Sequence, residues 1–277
     1  MQTVNRWSTS ITRVLAPNPG PMTLDGTNSL IIRHPSSSQV VLVDPGPADA
    51  GHLARLTASG EIALILLTHG HLDHSESAPA LHAETGAPVR AADPALCLGG
   101  AALEDAESIE AAGIRLEVLR TPGHTADSVC FALEDDVLEG APPGADAAGV
   151  MLTGDTILGR GSTVIAPTGS LGDYLATLER LIARGPMAVL PGHGDPISEL
   201  DAAARAMRDH RAARLDELLA VLDRLGIRPS ADAETVSRVS EALYPEVDAA
   251  IRYAAEMSTA AQLEYLADAA LRRSAPR

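Results

Sequence analysis

Residues 67–74 read Leu67-Thr68-His69-Gly70-His71-Leu72-Asp73-His74, three imidazoles and a carboxylate in close succession. They follow the apolar run Ile62-Ala63-Leu64-Ile65-Leu66-Leu67, which reads as a buried strand stopped by a glycine-containing loop. A loop at a strand end presents side chains from a rigid support. Imidazole nitrogens and carboxylate oxygens are the donors that zinc and its neighbours accept, and a mononuclear site needs about four. This loop alone offers four.

Three later stretches repeat the arrangement. His124 lies in Thr121-Pro122-Gly123-His124-Thr125, after a strand ending at Leu119. Asp155 follows Val150-Met151-Leu152 in Thr153-Gly154-Asp155, and His193 follows Ala188-Val189-Leu190 in Pro191-Gly192-His193-Gly194-Asp195. Glycines allow the sharp turns, and in an α/β sheet such ends line one crevice. The donors are then His69, His71, Asp73, His74, His124, Asp155 and His193. They are too many for one tetrahedral ion and suit two ions sharing a carboxylate, which predicts hydrolysis by a hydroxide held between two metals. No Gly-x-Ser-x-Gly elbow competes with that reading. His34, His52, His82 and His210 lie in turns or helices and read as structural or solvated.

Strands are expected at 11–15, 29–32, 40–43, 62–67, 89–91, 114–119, 128–133, 150–153 and 188–190, with helices at 48–59, 73–84 and 171–183. Residues 140–149, rich in Ala, Pro and Gly, read as a surface loop. Beyond Glu199 only helices are expected, at 200–225 and 233–243, with one or two more over 247–273. The change of class near residue 198 divides an α/β domain, 1–198, from a helical one, 199–277.

The 277 residues are 45% apolar and 21% charged, as in globular proteins. No basic start leads into an apolar run, and the apolar stretches are shorter than the ~20 residues of a membrane helix, so a cytoplasmic protein is expected. Cys97 and Cys130 have no partner at metal-finger spacing and read as free, buried thiols. The net charge of −16 argues against a general affinity for nucleic acid or anionic membrane. It is concentrated in residues 1–198, with 23 acidic against 10 basic side chains; residues 199–277 carry 14 against 11. All 21 basic residues are Arg.

The strand-end Asp44, the 69–74 loop, His124, Asp155 and His193, in that order, resemble the metallo-β-lactamase-fold superfamily. The resemblance implies a four-layer αββα fold and two Zn2+ ions, with Fe or Mn as alternatives. By it, His69, His71 and His124 hold one ion, Asp73, His74 and His193 the other, and Asp155 bridges; Asp73 is also taken as catalytic, and Asp44 as the carboxylate that props the metal loop. Asp155 stands where true lactamases of one branch have Cys, which points to the broader hydrolase family. Asn18-Pro19-Gly20-Pro21 through Gly26-Thr27-Asn28, residues 154–163 and His210-Arg211-Ala212-Ala213-Arg214 resemble the branch of beta-lactamase-like protein two. Its members include an animal single-strand endoribonuclease and fungal thioesterases on carrier-bound polyketides, and they carry a small winged-helix-like C-terminal domain.

Two substrate classes follow. A small-molecule ester or thioester needs only the metal centre and an apolar groove, and is favoured. Single-stranded RNA finds support in Arg205, Arg208, Arg211 and Arg214, recurring every three residues with Arg160 near the metals. Against it stand the acidic catalytic part, the 2% aromatic content and the carboxylates Asp201, Asp209, Asp216 and Glu217 at pairing distance. A non-catalytic metal-binding protein would need a damaged ligand set, whereas all seven ligands are present.

Overall fold

Residues 4–140 and 149–274 are described by the computed structural model, and their strands gather into two sheets. The loop expected over 140–149 falls, for 141–148, outside the described residues. In the first sheet β1 (Val4–Arg6), β2 (Ile11–Leu15), β3 (Asn28–Ile32) and β4 (Gln39–Val43) run antiparallel. A crossover through α1 (Ala50–Thr57) then returns the chain so that β5 (Glu61–Leu66) pairs parallel with β4. Asp49 caps α1 by accepting from the His52 amide at 2.7 Å. The short helices α2 (Leu72–Ser75) and α3 (Ala78–Thr85) lead to β6 (Val89–Arg90), parallel to β5.

The second sheet is built from β7 (Ser108–Ala111), β8 (Ile114–Arg120), β9 (Val129–Leu133) and β10 (Val150–Gly154), antiparallel in turn. α4 (Leu171–Arg184) then crosses to β11 (Ala188–Pro191), parallel to β10. The long α5 (Leu200–Leu225), α6 (Ala233–Leu243) and α7 (Arg252–Ser274) complete the described chain.

Side-chain alternation explains the layers. Val41, Val43, Leu64 and Leu66 of the first sheet meet Val129, Phe131, Leu133, Val150, Leu152 and Leu190 of the second in one core between the sheets. The residues between them point outward. Val40, Leu42, Ile62 and Ile65 pack with Leu56 of α1 and Leu81 of α3, while Cys130, Ala132, Met151 and Val189 pack under α4 and α5. Strands apolar on both faces must be covered on both, and the result is the αββα order expected. α5 takes part in two cores: Leu200 and Ala204 join the layer under α4, and Leu218, Val221 and Leu222 meet Val239 of α6 and Leu263 of α7.

Four readings change. The helix expected over 73–84 is two helices, because Pro79 lacks an amide hydrogen and is accommodated in the first turn of a new helix. β1 and β7 go beyond the expected strands: both are short, and β7 carries a single buried residue, Ile109. After residue 199 the described residues form helices and a 3₁₀ turn with no strand, so the helical content is as expected and no wing is present among them. Cys130 is free and buried as expected, whereas Cys97 is free but only half-buried. No helix among the described residues is long and apolar enough to cross a membrane.

Candidate metal centre

β4 and β5 end side by side, and β10 and β11 end beside them across the core. Asp44 follows β4, the 67–74 loop follows β5, Asp155 follows β10 and His193 follows β11. His124 sits in the loop between β8 and β9. All seven predicted ligands converge there, in overlapping groups of three.

In one group His69 Nε2 and His124 Nε2 lie 3.0 and 3.1 Å from His71 Nδ1. In the other, His74 Nε2 and His193 Nε2 are 3.2 Å apart, with Asp73 Oδ2 at 3.5 and 3.2 Å from them. Asp155 lies between. Its Oδ1 is 3.4 Å from both His74 Nε2 and His193 Nε2, and its Oδ2 is 3.7 Å from His124 Nε2. Gly192 makes this approach feasible, since a Cβ there would stand 2.8 Å from both Asp155 Oδ1 and His74 Cε1.

The outer nitrogens are tied down, which aims the inner ones. His74 Nδ1 meets Asp44 Oδ2 at 2.8 Å, and His69 Nδ1 meets Thr68 Oγ1 at 3.0 Å. Thr68 in turn donates through its amide and hydroxyl to Asp44, at 2.8 and 2.7 Å. His124 Nδ1 donates to Val164 O at 2.6 Å and lies 3.0 Å from Thr163 Oγ1; His193 Nδ1 donates to Gly26 O at 3.1 Å. Each of these four histidines therefore has Nε2 free to face the centre, the arrangement that metal-ligating histidines show.

The site's charges fit a cation. His69, His74, His124 and His193 are buried, and Asp155 Oδ1 is buried without a hydrogen-bond partner. Ring nitrogens about 3 Å apart with lone pairs inward repel one another unless a cation or proton lies between them. Burial pushes His69 and His124 below the ordinary imidazole range. Burial opposes charge on His74 and His193 too, but the carboxylates outweigh it: Asp155 with Asp44 lifts His74 well above that range, and Asp155 with Asp73 lifts His193 to about 9. The same contacts hold Asp155 far below the usual carboxylate range against the effect of burial. The donor set is that of a transition-metal centre.

Sequence similarity agrees. A profile of the Metallo-beta-lactamase superfamily matches residues 22–138. A lactamase-like protein of Aspergillus niger is 31% identical over 236 residues, which are 82% of this chain and 68% of that one. The chain belongs to the metallo-beta-lactamase superfamily of hydrolases. An atrochrysone carboxyl ACP thioesterase of Aspergillus chevalieri is 29% identical over 229 residues, 79% of this chain and 68% of its own. The crystal structure of a metallo-beta-lactamase family protein from Thermus thermophilus superposes with a TM-score of 0.73 at 25% identity, covering 94% of each chain.

Within this metallo-beta-lactamase fold the other histidines stay apart from the cluster. His34 pairs with Ser36, His52 with Ser29, and His82 with the Ala87 carbonyl. The arginine row is not a line of free cations. Arg205 pairs with Asp201, Arg208 with Glu179 and Asp209, Arg214 with Glu217, and Arg160 with Asp25. Arg211 is buried. Sequence reasoning assigns no role to Thr68, Thr163 or the carbonyls of Gly26 and Val164. A carbonyl has no residue type to read, and Thr163 is distant in sequence from the histidine it faces. Asn28 enters only by resemblance; its Nδ2 donates to Pro191 O and Gly194 O at 3.0 and 2.9 Å, bracing the turn that carries His193.

Proposed function

We propose that this centre binds two zinc ions, one on His69, His71 and His124 and one on Asp73, His74 and His193 with Asp155 between them, and that the chain hydrolyses acyl esters or thioesters. The observation that carries the two-ion reading is Asp155, whose two oxygens face different histidine groups. When bound, such ions supply a water acidic enough to attack at neutral pH and polarise the carbonyl under attack. The chain's own groups do the rest. Thr68, Val164 and Gly26 hold His69, His124 and His193 in fixed ring orientations, and Asp44 does the same for His74. Asp73 is buried enough for desolvation to oppose its charge, yet its hydrogen bond from His193 and the charge of His74 keep it below the usual carboxylate range. With Oδ2 turned to His74 and His193, the other oxygen of Asp73 is the one left to take the proton of the attacking water. The water oxygen bonds to the acyl carbon, the C–S or C–O bond breaks, and the departing thiolate or alkoxide takes the proton that Asp73 accepted, leaving the acid and the thiol or alcohol.

The acyl reading draws support from the thioesterase named among the relatives and from Leu72. This leucine stands between His71 and Asp73 in the sequence and is 69% exposed, an apolar side chain on the loop that carries the candidate ligands. The pairing of the arginines and the acidity of residues 1–198 weigh against a polyanionic substrate. In the same reading residues 1–198 form the catalytic domain and 199–277 a helical domain laid against α4. Elemental analysis and parallel assays of the zinc-loaded protein on acyl thioesters, lactones, a phosphodiester and single-stranded RNA test it. Two metal equivalents with thioester or lactone cleavage are expected. One equivalent removes the two-ion reading, and cleavage of RNA alone removes the acyl one.

A further inference from the structure

The geometry points to Arg211 as a positioning residue for His124, reaching the metal centre from the C-terminal helices. This inference rests on the metal-centre reading above. Arg211 lies near the middle of α5 and is 4% exposed, whereas Arg208, one turn away, and Arg205 meet carboxylates at the surface. Arg211 forms no ion pair among the described residues. Its Nη2 donates to the carbonyl of Thr163, its guanidinium carbon stands 5.3 Å from the centre of the Tyr174 ring, and its Nε is buried without a hydrogen-bond partner. Burying a cation with so few partners is costly, and docking α5 on α4 does not require it, since Arg208 links the two helices through Glu179.

The two contacts of Arg211 lead to ligands. Thr163, whose carbonyl it holds, places Oγ1 3.0 Å from His124 Nδ1, and the next residue supplies the Val164 carbonyl at 2.6 Å from the same nitrogen. Tyr174, under the guanidinium, donates its hydroxyl to Thr156 O at 2.8 Å, beside Asp155. Its backbone also packs so tightly on the turn before His124 that a Cβ on Gly123 would lie 2.5 Å from Tyr174 Cα. One guanidinium therefore bears on the segments before and behind His124 and on the one that follows Asp155. Removing a group bonded directly to a ligand weakens metal affinity about 10- to 100-fold, and Arg211 acts one contact further out, through Thr163 and Tyr174.

The test uses full-length wild type, Arg211→Met, Arg211→Lys and Arg208→Met, stripped of metal and titrated with Co2+. Binding is read by visible absorption and by equivalents bound, fold by circular dichroism, and His71→Ala marks the step belonging to the three-histidine group. Arg211→Met is expected to keep its helix content and the second step, and to weaken the first about 10-fold, the lower end of that range. Arg211→Lys should recover part of the loss, and Arg208→Met should match wild type. Wild-type affinity in Arg211→Met, or equal weakening of both steps in it and in Arg208→Met, overturns the inference alone. Should Arg211→Met fail to fold, an unchanged first step in Arg211→Lys overturns it. A wild type that binds fewer than two equivalents removes the two-ion reading and this inference with it.

Discussion

In the proposed two-ion centre, Asp155 and Asp73 would take the inner carboxylate positions and Asp44 the outer one. Replacing Asp155 by Ala removes the side chain whose two oxygens face both histidine groups; loss of at least one metal equivalent and of nearly all activity is expected, and two equivalents retained on elemental analysis would refute the bridging role. Asp44→Asn keeps the volume but leaves Thr68 and His74 a weaker acceptor, and a metal affinity about 10- to 100-fold lower is expected from direct titration. His52 makes a different prediction. Burial, helped by Arg55, lowers its pKa to about 4 in the folded chain from an ordinary 6.5. The unfolded chain then takes a proton that the folded one refuses between those values, so stability is full above pH 6.5 and falls as pH drops towards 4. Denaturant unfolding at stepped pH should show a shallower decline in His52→Gln, and identical slopes would discount the residue. The candidate ligands are legible in the sequence because donors of one chemistry recur beside glycines at strand ends. Arg211 is not, because as one of four evenly spaced arginines it differs only in what covers it.

At the level of elements, strands apolar on both faces announce themselves, and the buried strands from β2 to β11 lie close to the limits expected of them. Edge strands do not. β7 joins β8 through Ala112 and Gly113, both at positive φ. An alanine in that conformation gives no turn signal of the Asn-Gly kind, so the sequence there reads as one strand where the fold has a hairpin. The turn after β11 offers a sharper test. Gly192→Ala forces a methyl towards Asp155 Oδ1 and His74 Cε1, each 2.8 Å away. Displacing ligands on that scale is expected to cost activity on the order of 10²-fold while circular dichroism stays native. A variant of wild-type activity would show that the turn tolerates a side chain.

Across the whole molecule, the change from a mixed to a purely helical pattern after β11 is visible in the sequence, but the way the helices dock is not. A periodic helix shows that it has an apolar face and leaves open what that face meets. Here α5 closes the layer formed by Met151, Tyr174, Leu178 and Val189, so a chain ending at residue 198 is expected to be insoluble or to lose its cooperative unfolding transition; a soluble, cooperative product would show that the layer can stand alone.

The placement of the ligands has a mechanical consequence. Each histidine group draws members from both sheets, His69 and His71 with His124 in one case, Asp73 and His74 with His193 in the other. Cations seated there would act as two rivets through the seam of the sandwich. A ligand that binds only the folded state adds about 2.7 kcal/mol at a hundred times its Kd, and each kcal/mol is worth about 2–4 °C in a chain near this size. Chelation should therefore lower the melting temperature by several degrees per ion in scanning calorimetry, and an unchanged melting temperature would mean that the sandwich holds its seam without them. In such a fold the catalytic metals would also be the fasteners, and metal starvation would loosen the scaffold as it silenced the chemistry.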